Sequence, residues 1–275
     1  MNSNQFPFVT VNILAYNRKE EVDITLRKIL YNLEYPKDRY EVIVVDNAST
    51  DGTYEMIKTK YPEVKVIRLE KNIGIAGWNE GFKAGKGDYF LVLDDDSHIE
   101  TGLIEAINFL ENNKNIGILA CKIVGGPFTT DHWKDLDDCI GFINCGALIR
   151  KDLINKIGGF AEEMFLYSNE WEYSIRALDQ GFKIVYFSKC VVIHRASKKN
   201  RSIKRLRTLT TRNELWIVWR YYTGFKKFLL MFRVLFWNMM ASRHEGVNSV
   251  FYALSGLLKF INMEKIKQLE LIRRY

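Results

Sequence analysis

The chain has 275 residues, 47% of them hydrophobic and 27% charged, with a formal net charge of +7; this is enough for a sizeable core in one large domain or one domain plus an appendage, and it excludes a disordered or fibrous chain. Its four cysteines, Cys121, Cys139, Cys145 and Cys190, form no Cys-x-x-Cys pair and no zinc-like spacing, which argues against a disulfide scaffold and for buried thiols in a reducing cytoplasm. Residues 196–245 hold twelve Lys/Arg against Glu214 and Glu245, so the basicity belongs to one segment rather than to the whole chain.

Residues 1–7 lack the charged-then-apolar pattern of a secretion signal. Residues 9–14 and 41–45 are short β-branched runs that predict strands, and between them Val22, Leu26, Ile29, Leu30 and Leu33 fall at helical spacing over residues 20–33. A third strand is predicted over 64–69, a helix over 75–86, and a fourth strand over the apolar run Tyr89-Phe90-Leu91-Val92-Leu93. Strands alternating with helices predict an α/β fold with a mainly parallel sheet, in which ligands bind beyond the carboxyl ends of the strands. Next come a helix near 101–112, a strand over 116–124, and a Gly125-Gly126-Pro127 loop leading through Asp131, His132 and Trp133. A strand over 139–150 contains Gly141 and Gly146, where a backbone or ligand can approach closely; residues 190–193 read as another. From Ser202 onward the periodicity is helical, over 203–222, 226–241, 247–261 and 264–274. The expected division is an α/β domain over 1–200 and a basic, amphipathic helical region over 201–275.

The fourth strand runs into Leu93-Asp94-Asp95-Asp96-Ser97. Adjacent carboxylates repel one another and favour a cation. If the extended backbone continues, Asp94 and Asp96 share one face and Asp95 takes the other. Such hard oxygen ligands suit Mg²⁺ or Mn²⁺, and Mg²⁺ is usually shared with substrate phosphates, so a nucleoside diphosphate is the expected ligand. A solvated turn or a helix cap would use the same residues. The strand-end rule adds Tyr16, Asn17, Asp46 and Asn47 to the same crevice. Asp46 suits a base imide or a ribose hydroxyl, and equally an Asx-turn within Asp46-Asn47-Ala48-Ser49-Thr50-Asp51-Gly52.

Together these segments resemble the family 2 glycosyltransferases, inverting enzymes of the GT-A fold, and more narrowly their rhamnosyltransferase-like members. Residues 11–18, ending Ala15-Tyr16-Asn17-Arg18, resemble the family's opening strand and Thr-Tyr-Asn-Arg turn. Residues 44–53 are similar to its nucleotide-contacting Val-Asp-Asn-x-Ser-x-Asp-Gly-Thr signature, and Asn72-Ile73-Gly74 through Asn79-Glu80-Gly81 to an element that packs near the donor. The strand end at Asp94 to Asp96 matches the metal-binding Asp-x-Asp. The stretch from Gly158-Gly159-Phe160 to Asn169-Glu170-Trp171-Glu172 is similar to the family's acceptor-side element, although Ala161 and Asn169 stand where acids are usual.

The resemblance implies a nucleotide-sugar donor held by Ala15, Tyr16, Asn17, Asp46, Asn72, Gly74, Asn79, Asp94 and Asp95, with Mn²⁺ or Mg²⁺ on Asp96, Asp94 and His194. It makes Glu170 the catalytic base. Residues two apart on a helix do not face one reacting group, so Glu172 is expected to pair with Arg176 instead. The implied acceptor is a glycan or lipid-linked hydroxyl in bacterial surface polysaccharide assembly, the implied donor a UDP- or dTDP-sugar such as rhamnose or galactose. A catalytically silent relative acting as a binding subunit is the competing expectation.

A nicotinamide-dependent enzyme would need Gly-x-Gly-x-x-Gly where Ala15-Tyr16-Asn17-Arg18 stands. A processive polymer synthase would need a Gln-x-x-Arg-Trp motif, which is absent. In the basic segment, residues 215–219 and 228–237 are strongly apolar and flanked by Arg220, Lys226, Lys227 and Arg243. Neither reaches the ~20 apolar residues that span a bilayer. Both suit an interfacial position on the inner face of the cell membrane, or packing in a homodimer or on the catalytic domain. Nothing in the segment matches a nucleic-acid motif, so no nucleic-acid partner is expected.

Overall fold

Val9–Ala15 (β1) lies inside the sheet: five of its seven residues are apolar, and all but Leu14 are buried. A computed structural model describes residues 6–126, 129–197, 199, 201–243, 245 and 247–272; Pro127 of the predicted glycine loop and residues 273–274 of the predicted last helix lie outside them. β1 pairs in parallel with Tyr40–Asp46 (β2) on one side and Tyr89–Asp94 (β4) on the other, and Lys65–Arg68 (β3) extends the sheet beyond β2. Helix Lys19–Asn32 (α1) presents Val22, Leu26 and Ile29, all fully buried, and Thr53–Lys60 (α2) buries Ile57.

The second half of the sheet is mixed. After β4 come Ser97–Thr101 (β5), Ile116–Val124 (β6), Ala147–Arg150 (β7) and Lys183–His194 (β8), in the spatial order β3-β2-β1-β4-β7-β6-β8-β5. β7 runs antiparallel to both β4 and β6, β5 runs antiparallel to β8, and β6 and β8 are parallel. Helices Gly77–Ala84 (α3), Leu103–Asn112 (α4), Lys151–Ile157 (α5) and Asn169–Asp179 (α6) complete the layers. The buried guanidinium of Arg150 ties two backbone carbonyls and a side-chain hydroxyl of this half together: Nε donates to Ile116 O (3.1 Å), Nη1 to the Tyr89 hydroxyl (2.7 Å) and Nη2 to Leu110 O (2.6 Å).

Several elements differ from the sequence reading. The strand expected over 139–150 begins only at Ala147, because residues 144–146 form a 3₁₀ turn. The strand expected over 190–193 is the end of the longer β8. α2, α5 and β5 were not anticipated. α2 and α5 are short, and four of the five residues of β5 are polar, with order supplied by its pairing to β8.

The chain divides into two units, residues 1–165 with 170–199, and residues 166–169 with 200–275. The second consists of helices Ile203–Tyr221 (α7), Gly224–Arg243 (α8) and Val247–Ile272 (α9), the last joining two patterns that read separately in the sequence. Ser202 caps α7 by accepting from Arg205 N (3.4 Å). Close approach of α7 and α9 requires Gly256, whose Cβ would meet Thr208 O at 2.6 Å. Within this unit Asn213 of α7 donates to Leu166 O (2.8 Å) and Tyr167 O (2.7 Å). Asn238 of α8 donates to Glu214 Oε2 (2.7 Å).

Candidate active site

Strand register brings the first carboxylates to one edge: Ala15 lies opposite Asp46, and Leu14 opposite Asp94. The turn after β1 is tied to the loop after β2. Asn17, with a left-handed φ of 53°, receives Thr50 N on Oδ1 (2.7 Å) and donates its own N–H to Ser49 Oγ (2.9 Å). Ala15 O accepts Asn47 N at 2.8 Å. Asp46 is completely buried; its Oδ1 accepts Ser49 N (3.2 Å), while Oδ2 has no hydrogen bond and lies 3.9 Å from Arg68 Nε. The Asx-turn is therefore present and still leaves one carboxylate oxygen available. Burial pushes the Asp46 carboxyl above its ordinary range, with Ser49 and then Arg68 opposing.

The segment from Asn72 to Asn79 is held by its own polar groups. Asn72 Oδ1 accepts Gly74 N (2.8 Å), and Asn47 brackets the loop by accepting Ile73 N (2.9 Å) and donating to Gly74 O (3.0 Å). Gly74 has a φ of 66°, and a Cβ there would sit 1.9 Å from Phe165 O, so only glycine fits. The Asn79 amide clasps Phe160, accepting its N–H (2.8 Å) and donating to its carbonyl (2.9 Å). Asn79 thus fastens the chain leading to α6, with both amide atoms engaged by protein.

At the acidic triplet the extended backbone does not persist. β4 ends at Asp94, and Asp95 and Asp96 form a tight turn into β5, closed by Asp94 N donating to Ser97 Oγ (2.9 Å). The simple alternation that would set Asp94 and Asp96 on one face is lost. Asp95 and Asp96 are buried and share one arginine, with Arg18 Nη1 2.9 Å from Asp95 Oδ1 and 3.0 Å from Asp96 Oδ2. Asp95 Oδ2 also accepts Tyr16 N (3.1 Å), and Asp96 Oδ2 accepts Ser197 N (2.8 Å). Arg195 holds the turn from behind, its Nη2 reaching Thr25 Oγ1 (2.7 Å), whose hydroxyl donates to Asp95 O (2.8 Å).

His194, at the end of β8, places Nε2 3.4 Å from Asp96 Oδ1. Burial raises Asp95 to about 7 despite the opposing charge of Arg18. In Asp96 the same burial effect is outweighed by His194 and Arg18, which hold it below the ordinary carboxylate range.

Glu170 occupies the first turn of α6 and is half-buried. Burial pushes its carboxyl up to about 7; its own backbone N–H opposes the shift and the negative charge of Asp94 adds to it. Glu172 is engaged by Arg176, with Nε to Oε1 at 2.9 Å and Nη2 to Oε2 at 2.8 Å. Arg176 also donates to Ile157 O and Gly159 O (2.6 and 2.8 Å). Glu172 is thus part of a structural clamp, and Glu170 lies outside it.

A family model described as "Glycosyl transferase family 2" matches residues 10–233. The chain belongs to that family. This glycosyltransferase is 25% identical over 301 residues to the probable glycosyltransferase YdaM of Bacillus subtilis, covering 95% of this chain and 71% of that protein. It is 30% identical over 187 residues to a dolichol-phosphate mannosyltransferase of Pyrococcus furiosus, covering 64% of this chain and 51% of that one, about half the relative's length. Among solved structures, a mannosyltransferase from Pyrobaculum calidifontis in complex with GDP-Man and Mn²⁺ shares the fold at a TM-score of 0.64 and 18% identity, covering 99% of this chain and 82% of that one. The glycosyltransferase has the GT-A architecture, a mixed sheet flanked by helices and followed by C-terminal helices.

Two residues that lie beside the acidic triplet are not among those the sequence patterns select. Arg18 stood in plain view after Ala15-Tyr16-Asn17; a lone cation next to a crevice of acids was the available signal. Cys145 read as a core thiol, and its placement beside Asp94 and His194 depends on the antiparallel β7, which no local pattern announces.

Proposed function

We propose that this glycosyltransferase is inverting and metal-dependent, and moves a sugar from a UDP- or dTDP-linked donor to a hydroxyl of a glycan or lipid-linked acceptor in bacterial surface polysaccharide assembly. The observation that carries the reading is Glu170: a half-buried carboxyl pushed up to about 7, within the field of Asp94 at the end of β4. A base poised near neutral pH is what removal of a proton from an acceptor hydroxyl asks for.

In this reading Oδ2 of Asp46, which has no hydrogen bond within the protein, accepts from the base or ribose of the donor, and the backbone at Ala15, Tyr16 and Asn17 lines the nucleoside. Asn72 and Gly74 shape the neighbouring wall, and Asn79 acts by positioning. The residues at the triplet fit a divalent cation, since the Asp94 carboxylate and the His194 imidazole converge there and the buried Asp96 Oδ1 faces the same imidazole at 3.4 Å. Asp94, Asp96 and His194 would hold Mn²⁺ or Mg²⁺, whose charge offsets that of a departing diphosphate. Arg18 keeps Asp95 and Asp96 oriented towards that position. Glu170 accepts the acceptor's proton, a contribution of typically ~10²- to 10⁴-fold. A single displacement with one acid–base side chain inverts the anomeric centre, unlike hydrolysis by a carboxylate pair.

The second unit supports a membrane-surface location. α8 exposes Phe225, Phe228, Leu229, Phe232, Phe236 and Trp237, from 47% to 83% each, and carries Lys226, Lys227, Arg233 and Arg243 with no acid. Among the described residues no helix is long and apolar enough to cross a membrane. Aromatic and basic groups together suit an anionic interface, at roughly 1 kcal/mol per basic residue near the surface. That is where a lipid-linked acceptor would be met.

The test is transfer by the purified protein across a panel of nucleotide sugars, with Glu170→Gln alongside. The variant is expected to bind donor and lose transfer; retained turnover removes Glu170 from the mechanism. Donor binding by the unaltered protein with neither transfer nor hydrolysis would favour the silent binding subunit.

A further inference from the structure

Three chemically different side chains converge at the end of β4. The ligand atoms of Asp94, Cys145 and His194 all lie within 4.8 Å of one another. They come from three segments: the last residue of β4, the 3₁₀ turn Asn144–Gly146 and the last residue of β8. The topology explains the meeting. β7 runs antiparallel to β4 with Ala147 opposite Val92, which carries the turn before β7 back to the carboxyl end of β4. That turn is pinned against the sheet at Gly146, where a Cβ would stand 2.5 Å from Ile123 Cδ1 and 3.1 Å from Val192 Cβ. Cys145 is 1% exposed and His194 4%, so neither is a surface group that reached this place by chance flexibility.

A second observation points to a ligand at the same place. Asp96 is fully buried, its Oδ1 has no hydrogen-bond partner, and that oxygen lies 3.4 Å from His194 Nε2. That oxygen faces the imidazole already placed beside Asp94 and Cys145, so a cation bound there would be shared by the buried carboxylate and the imidazole. The other pair of thiols behaves differently: Cys121 and Cys190 place their sulfurs 3.3 Å apart in the core, each with the other for company.

We infer that Cys145 is a sulfur ligand of the cation site, which makes the site a mixed oxygen, nitrogen and sulfur set that favours borderline cations over Mg²⁺. The inference rests on the metal-dependent reading above and adds to it the identity of a ligand and the selectivity that follows. Mg²⁺ keeps oxygen ligands in near-ideal octahedral geometry, whereas thiolate and imidazole favour the later first-row divalent ions. On binding, the Cys145 S–H bond breaks, the sulfur bonds to the cation and the proton leaves to solvent. Affinity for Co²⁺ or Zn²⁺ therefore rises with pH more steeply than it would with oxygen and nitrogen ligands alone.

The test uses the full chain and the metal ions alone. Co²⁺ is titrated into the unaltered protein, Cys145→Ser, Cys145→Ala and Cys121→Ser, following thiolate-to-cobalt charge-transfer absorption in the near ultraviolet. Mg²⁺, Mn²⁺ and Co²⁺ affinities are measured calorimetrically. The band is expected in the unaltered protein and in Cys121→Ser and in neither Cys145 variant. Co²⁺ is expected to bind the unaltered protein more tightly than Mg²⁺, and loss of the sulfur to weaken Co²⁺ by roughly tenfold or more while leaving Mg²⁺ nearly unchanged. Binding of Mn²⁺ and Co²⁺ without the band, or a band that survives in Cys145→Ala, overturns the sulfur ligand and leaves the metal reading intact. Failure of every divalent ion to bind overturns both. The spectrum of the unaltered protein is decisive even if a variant folds poorly.

Discussion

Arg18 and Asp96 meet at 3.0 Å, Nη1 to Oδ2, with 15% of the arginine side chain and 1% of the aspartate side chain exposed. The same nitrogen serves Asp95 at 2.9 Å. One cation therefore stabilises two buried carboxylates in a turn that also abuts His194. This is the local answer to the electrostatic problem posed by three successive aspartates.

Removing that cation while leaving the acids in place should be expensive. Arg18→Met is expected to lower stability by about 3–5 kcal/mol, the range for stripping one partner from a buried ion pair. Added Mn²⁺ should raise the melting temperature of Arg18→Met more than that of the unaltered protein, because a second cation replaces the lost charge. Melts of both proteins with and without Mn²⁺ check this; a variant that melts with the unaltered protein would show that the pair carries no stability.

The acid limb of the rate profile should report Glu170. A base works unprotonated, and burial holds this carboxyl at about 7, so the protonated form dominates below that pH. Transfer rate is expected to rise tenfold per pH unit up to about 7 and then level off. The residual rate of Glu170→Gln should lack this limb. A limb near the ordinary glutamate range would mean that Glu170 is solvated in the working complex.

Asn79 offers a test of positioning against donor contact. Asn79→Ala removes both hydrogen bonds to Phe160 and leaves that backbone unpaired in the interior, at a cost of about 1–3 kcal/mol. Asn79→Asp keeps an acceptor for Phe160 N and places it against Phe160 O, so it should also destabilise. Chemical denaturation measures both; unchanged midpoints with weakened donor binding would place Asn79 on the donor instead.

The exposed face of α8 predicts flotation with vesicles containing anionic lipid and not with neutral ones. Phe232→Glu combined with Trp237→Glu should abolish flotation and leave transfer to a soluble acceptor intact. Absence of binding to anionic vesicles, with a concentration-dependent dimer in sedimentation, would assign the face to a second copy.

Much of the first half of the site was legible as sequence. The strands of residues 9–15, 40–46 and 89–94 are rich in apolar and β-branched residues, and each leads into the polar group that the sheet rule selects: Tyr16 and Asn17, Asp46, and Asp94. The Glu172–Arg176 pair follows from helix spacing alone. A turn at Asp95 and Asp96 was one of the readings open in the sequence, but the choice between turn and continued strand was not legible, because Ser97 closes it through the backbone of Asp94. The 3₁₀ turn at Cys145 interrupted what reads as one strand for the same kind of reason.

By itself, the chain's sequence determined the alternation of strands and helices, the carboxylates at the strand ends and the separate basic helical segment, since each is written in local composition and spacing. Only the tertiary structure decided which groups share a site. Arg18 reaches Asp95 and Asp96 across 77 and 78 residues, and Cys145 and His194 reach Asp94 through strand pairings that reverse direction twice. Those meetings depend on register and strand order, which come from packing the whole sheet, and no single segment carries them.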